Sequence, residues 1–250
     1  MWIGWRIIER TPFERQRVQA GEDFDRQHGV DTTRNRSTEW TTDVESESWA
    51  EGTGFYPTPP DAVRRSIRSL PIDHQEYVFI DLGSGKGRVI LVASEFPFAA
   101  CLGVEYAPDL HEAAERNIAA FRSDRQRCSV VRSHCHDAAT FSLPEAPLVF
   151  FFAHPFGGTV LDSFLEHVRR SLREAPRAAY IIEYDPVYRE RFRDAGFREI
   201  YTCDMGAAEF LPSFFYKIEW FDRNTFRNRN GKEFVIYEAA DPRPDRMVDA

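Results

Sequence analysis

From Tyr77 onward, short apolar runs alternate with stretches whose apolar residues recur at helical spacing. The runs Tyr77 to Leu82, Ala100 to Glu105, Cys128 to Ser133, Leu148 to Ala153 and Ala178 to Tyr184 have the length and filling of strands. Between them, Gly87 to Phe96 predicts one helix. Pro108 begins another, with Leu110, Ala113, Ala114, Ile118 and Phe121 on one side. Thr159 to Leu172 presents Val160, Leu161, Phe164, Leu165 and Val168 to a core, and Val187 to Ala195 predicts a short helix. Ahead of the first strand, Pro60 suits a first helical turn and Val63, Ile67 and Leu70 share a face. Strand and helix in regular alternation point to an α/β fold with a parallel sheet.

The ends of the chain break this pattern. Residues 1–50 are polar, lack sustained periodicity and read as an N-terminal arm with one short helix around Pro12 to Ala20. Residues 51–240 form the single domain, and 241–250 read as a disordered tail. Near the C-terminus Phe197 to Cys203, Phe214 to Phe221 and Phe234 to Tyr237 are all candidate strands, and pattern alone does not choose among them.

Composition narrows the function classes. The 250 residues bound one α/β domain plus an arm, and a formal net charge of −8 supplies no general attraction to nucleic acid. The opening Met-Trp-Ile-Gly-Trp-Arg meets charge too early for a signal peptide, and the most apolar run, Ala146 to Ala153, is too short to span a bilayer. Cys101, Cys128, Cys135 and Cys203 contain no C-x-x-C, so neither a zinc site nor a disulfide framework is indicated. The expected location is a reducing cytoplasm, with no membrane partner.

The chemistry concentrates after the first strand, in Asp81-Leu82-Gly83-Ser84-Gly85-Lys86-Gly87-Arg88. Alternating glycines let a loop turn with positive φ and bring bare amides to a ligand. A dinucleotide fingerprint needs a third glycine where Arg88 stands, and Asp81 would repel a pyrophosphate. An NAD(P)-dependent oxidoreductase is therefore the weaker alternative. The run resembles the first motif of class I (Rossmann-like) S-adenosylmethionine (SAM)-dependent methyltransferases. It also resembles, locally, the Asp-Leu-Gly-Ser-Gly-x-Gly of the non-SET histone lysine methyltransferases, although the acidic charge gives no support for nucleosome binding. SAM carries an ammonium and a sulfonium, both attracted to Asp81.

The resemblance implies a doubly wound, mostly parallel seven-stranded sheet with a terminal antiparallel strand, and a cofactor lying across the strand ends. It implies SAM contacts from Asp81, Gly83, Ser84, Gly85 and Gly87, from Glu105 (to the ribose hydroxyls) with Tyr106, and from Asp137 (to the adenine amino group) with Ala138. Glu105 as a solvated strand end and Asp137 as a turn residue are the plain alternatives. His134-Cys135-His136 offers too few ligands at a telling spacing for a metal site, so none is expected.

The fourth strand ends in Ala153-His154-Pro155-Phe156-Gly157. Amino-directed methyltransferases carry Asn/Asp-Pro-Pro-Tyr there, and this chain departs from that pattern. His154 is an acceptor only as its neutral tautomer, or a proton acceptor, or part of a structural His-Pro turn. His154 is thus the candidate catalytic residue, with Pro155, Phe156 and Tyr184 facing the substrate. Glu183, Tyr184 and Asp185 end the fifth strand, either toward the acceptor or as a cap.

Tyr56-Pro57-Thr58-Pro59 resembles an element preceding the SAM loop in a bacterial subgroup of unassigned substrate, which makes Tyr56 a further cofactor contact. Phe24 to Thr32 resembles another element of that subgroup, containing His28 and Asp31. Both elements could also be arm residues packed on the core. The arm, with Phe24, Trp40, Trp49, Phe55 and Tyr56, reads as a lid and acceptor selector. The expected activity is methyl transfer from SAM to an amine or oxygen nucleophile of a protein side chain or small molecule, with no nucleic-acid partner. A SAM-binding sensor without transferase activity is the main alternative.

Overall fold

The computed structural model describes residues 12–33, 57–204 and 232–239. Tyr56, Trp40, Trp49, Phe55, the segment 214–221 and the tail 241–250 lie outside them.

In chain order the elements are α1 (Pro12–His28), α2 (Pro60–Arg68), β1 (Val78–Leu82), α3 (Arg88–Ala93), β2 (Ala100–Glu105), α4 (Pro108–Ala120), β3 (Val131–Cys135), β4 (Leu148–Phe152), α5 (Gly158–Glu174), β5 (Ala179–Tyr184), α6 (Arg189–Asp194), β6 (Phe197–Asp204) and β7 (Lys232–Ala239). They build one seven-stranded sheet in the order β3-β2-β1-β4-β5-β7-β6. The strands from β3 to β5 pair in parallel, and β7 enters antiparallel between β5 and β6. Within the sheet β7 alone therefore runs against the other six strands. Between β1 and β4 the strand order reverses, which opens the ligand crevice of an α/β sheet at their carboxyl ends.

Side-chain alternation sorts the strands onto two cores. Phe79, Cys101, Val149, Phe151, Ile182 and Phe234 pack beneath α1 to α4, with Phe24, Val63, Ile67, Ile90 and Phe121. Ile80, Leu82, Phe150, Phe152, Ile181 and Tyr237 face the other way, against Leu161, Phe164 and Val168 of α5 and Phe192 of α6. β1, β4 and β5 are buried along their whole length, as interior parallel strands require.

Two expectations change. The helix near Pro12 continues to His28, because Phe24 and His28 bury against Phe121 in α4. The third strand begins at Val131, not Cys128. Register with β2, from Cys101 opposite Val131 to Glu105 opposite Cys135, sets it there, and the backbone of Ser94 takes the N–H groups of Arg127 and Cys128.

Candidate functional site

The loops after β1, β2 and β3 converge. After β1 the chain turns through Gly83, Gly85 and Gly87 at φ of 67°, 52° and 85°, the left-handed region where glycine is unstrained. The N–H groups of Gly83 and Ser84 donate to the Val104 carbonyl at 2.9 and 3.1 Å, so the loop folds back onto the end of β2.

Two carboxylates lie inside this turn. Asp81 is 3% exposed and Glu105 8%. Backbone donors hold Glu105: Gly85 N–H reaches Oε2 at 2.7 Å and Ala107 N–H reaches Oε1 at 2.8 Å. The Asp81 carboxylate accepts no hydrogen bond from the described residues. Burial, then repulsion from Glu105, pushes Asp81 well above the usual carboxylate range. Burial also raises Glu105, against the lowering effect of the Ala107, Gly85 and Tyr106 amides. A buried acid without a donor is costly to ionise until a cation arrives.

The loop after β3 joins the same cluster, since His136 N–H donates to the Glu105 carbonyl at 3.0 Å. Half-buried Asp137 accepts from the Ala139 amide at 2.8 Å. Half-buried Tyr106 follows Glu105 directly, and its carbonyl accepts from the Cys135 thiol. Ala138 turns inward to the second core. Its side chain is therefore a packing group.

The loop after β4 closes the site from the other side. Pro155 lies against Gly83, where an added Cβ would fall 2.1 Å from the proline Cβ. His154 Nε2–H donates to the Asp185 carbonyl after β5. Both residues take positive φ, 53° and 56°. The Tyr188 ring flanks His154 with centroids 5.6 Å apart, and its hydroxyl sits where a Cβ on Gly157 would lie 2.5 Å away. Tyr188 carried no motif in the sequence and is the rim residue that pattern reading missed.

Other expected rim residues turn elsewhere. Phe156 is buried edge-on against Phe152 and Phe164, and Tyr184 is buried and stacked on Phe151. Burial raises the Tyr184 phenol to about 12. Glu183 points to the opposite sheet face. There it accepts from Val187 N–H at 2.9 Å, Tyr188 N–H at 2.7 Å and Tyr237 Oη at 2.7 Å, which caps the turn into α6.

The Phe24 to Thr32 element clamps the back of the glycine loop. Asp25 accepts from the Thr32 amide at 2.9 Å, the Thr33 amide at 2.8 Å and the Thr32 hydroxyl. Buried Arg88 donates to both threonine hydroxyls. Asn117 in α4 ties Asp31 to the Lys86 carbonyl, and Lys86 Nζ pairs with Asp31 at 3.3 Å. His28 donates from Nδ1 to the Arg122 carbonyl at 2.9 Å. These residues brace the loop from outside the crevice.

The family described as "Histone methylation protein DOT1" matches residues 58–135, from α2 to the end of β3 and less than half of the chain. The matched stretch holds the glycine loop and Glu105 but ends before His154. Geranyl diphosphate C-methyltransferase from Streptomyces coelicolor A3(2), crystallised with Mg2+, geranyl diphosphate and S-adenosyl-L-homocysteine, superposes with a TM-score of 0.51 at 11% identity. The match covers 94% of this chain and 99% of that one. The chain has the class I methyltransferase fold. This fold also relates it to the putative RNA methyltransferase PH1948 from Pyrococcus horikoshii, with a TM-score of 0.50, 18% identity and coverage of 91% and 95%. No curated protein sequence matches the chain. Among the described residues, no group of three or more His, Cys, Asp or Glu side chains is placed to hold a metal. No helix among them is long and apolar enough to cross a membrane.

Proposed function

We propose that the protein is a SAM-dependent methyltransferase that methylates an amine or oxygen nucleophile at the His154 rim. The observation that carries the reading is Asp81, a buried carboxylate with no donor among the described residues, at the switch point of a methyltransferase fold. A cationic ligand relieves both its desolvation and its repulsion from Glu105.

The residues fit the cofactor. Asp81 would face its positive charges, and Glu105, which retains lone pairs beside the Gly85 and Ala107 amides, would take the ribose hydroxyls. Asp137, joined to Glu105 through His136, would read the adenine edge. Bound SAM supplies a methyl group already activated by its sulfonium. The protein's own task is then to align the acceptor, exclude water and take up a proton where the acceptor carries one. The His154–Pro155 turn, pressed on Gly83, sets the acceptor side against the cofactor side. The DOT1 match favours a protein side chain among acceptors, while the fold neighbour that takes geranyl diphosphate shows that this architecture also serves a small molecule.

Calorimetric titration with SAM, and separately with NADH, tests the reading on the parent and on Asp81→Asn. SAM binding near roughly 1–10 μM in the parent, weakened at least tenfold in the variant and with no NADH signal, is expected. A folded parent that binds NADH and not SAM overturns the reading.

A further inference from the structure

His154 and Asp185 are the non-glycine residues with positive φ among those described, and they are bonded to each other. A left-handed backbone is unfavourable at a non-glycine residue, and such strain persists where surrounding structure over-determines it. Here it does. Asp185 is anchored by its own N–H to the Glu233 carbonyl at 2.7 Å, on β7, and Glu233 is ion-paired to Arg65 of α2. The strain therefore aims one carbonyl at one imidazole nitrogen.

A carbonyl only accepts, so Nε2 carries the proton, and in the neutral ring Nδ1 keeps the lone pair. Resting on the methyltransferase reading above, we infer that Asp185 is a positioning residue whose backbone carbonyl holds His154 as a proton acceptor through Nδ1. The arrangement serves an acceptor that still carries a proton when it attacks, such as a hydroxyl, a phenol or an amine. As the acceptor atom bonds to the methyl carbon and the carbon–sulfur bond breaks, the acceptor's proton passes to Nδ1. The imidazolium formed keeps its Nε2–H on the Asp185 carbonyl, and the sulfur leaves as a neutral thioether with the electron pair of the broken bond. The proton is then lost to solvent. Among the described residues the Tyr188 phenol ring flanks His154, and the Tyr188 amide is itself held by Glu183 behind the turn.

Nitrogen-15 NMR of the full chain, labelled at histidine and assigned with His154→Asn, tests this without any cofactor. Failure here is therefore distinct from failure of SAM binding. At pH 8 the expected signature is a protonated, exchange-protected Nε2 and a lone-pair Nδ1. On acidification the new proton adds at Nδ1. Asp185→Gly, which keeps the left-handed backbone and the carbonyl, retains that protection. Asp185→Val, whose branched side chain disfavours positive φ, loses it by roughly 5- to 10-fold, the worth of one hydrogen bond. A proton on Nδ1 at pH 8, an unprotected Nε2–H in the folded parent, or protection unchanged in folded Asp185→Val overturns the inference. The parent measurement decides even where Asp185→Val fails to fold.

Discussion

Gly83 and Pro155 touch across the switch point, so the loop that would hold the cofactor and the loop that carries His154 are one packed unit. A Cβ at residue 83 would lie 2.1 Å from the Pro155 Cβ, on a backbone with φ of 67°. Gly83→Ala therefore meets a clash and an unfavourable backbone together. The expected cost is about 2–4 kcal/mol of stability, with SAM affinity reduced at least tenfold. Thermal unfolding and calorimetry of the variant check both. An unchanged Tm would mean that the two loops are not packed as described.

Asp81 predicts a proton-linked binding event. Its folded pKa is raised by burial and by Glu105, so the free protein holds part of this group protonated at pH values where an exposed Asp is ionised. A cationic ligand favours the ionised form. SAM binding should therefore release protons and strengthen as pH rises through the range in which this buried carboxyl ionises. Calorimetry in two buffers of different ionisation enthalpy measures the release. The pH dependence should flatten in Asp81→Asn. Proton uptake on binding would contradict the assignment.

Asp25 predicts a stability effect at the back of the glycine loop. Its carboxylate collects two amides and a hydroxyl from Thr32 and Thr33, which in turn satisfy buried Arg88. Asp25→Ala leaves those donors and a buried guanidinium short of acceptors. Burial already lowers the Arg88 pKa to about 10. The expected loss is roughly 2–4 kcal/mol in denaturant unfolding, since a buried charge network is being broken. Asp25→Asn, which keeps one acceptor oxygen, should recover part of it.

These positions show what was legible in the chain and what was not. Interior strands β1, β4 and β5 announce themselves because both faces are buried, so nearly every residue is apolar. The glycine loop is legible because positive φ restricts residue choice so strongly. β3 is a half-exposed edge strand whose polar Arg132, His134 and Cys135 carry no alternation, and only pairing with β2 sets its start. The reach of α1 depends on Phe24 and His28 meeting Phe121, a contact between residues far apart in sequence. Tyr188 is placed by the Glu183 carboxylate through a turn, a relationship that no local pattern encodes. Phe156 and Tyr184 fit a pocket-lining pattern and a core pattern equally well, and the second applies.

Glu183 supplies the last prediction, on stability against pH. The side chain is fully buried, and burial lifts its pKa to about 7 despite the Tyr188 and Val187 amides and the Tyr237 hydroxyl, which favour the charged form. The folded value lies above the unfolded one, taken as the ordinary 4.5. The group's contribution is therefore fully present below pH 4.5 and is lost as pH rises through about 7. The shift corresponds to roughly 3 kcal/mol between those limits. Glu183→Gln keeps an oxygen for the two amides and removes the titration. Its Tm should fall less than that of the parent between pH 5.5 and 8, and at pH 8 it should equal or exceed the parent. Parallel pH curves for the two proteins would show that Glu183 does not titrate in this window. In that case the turn carrying Tyr188 is held by a charge at every pH tested.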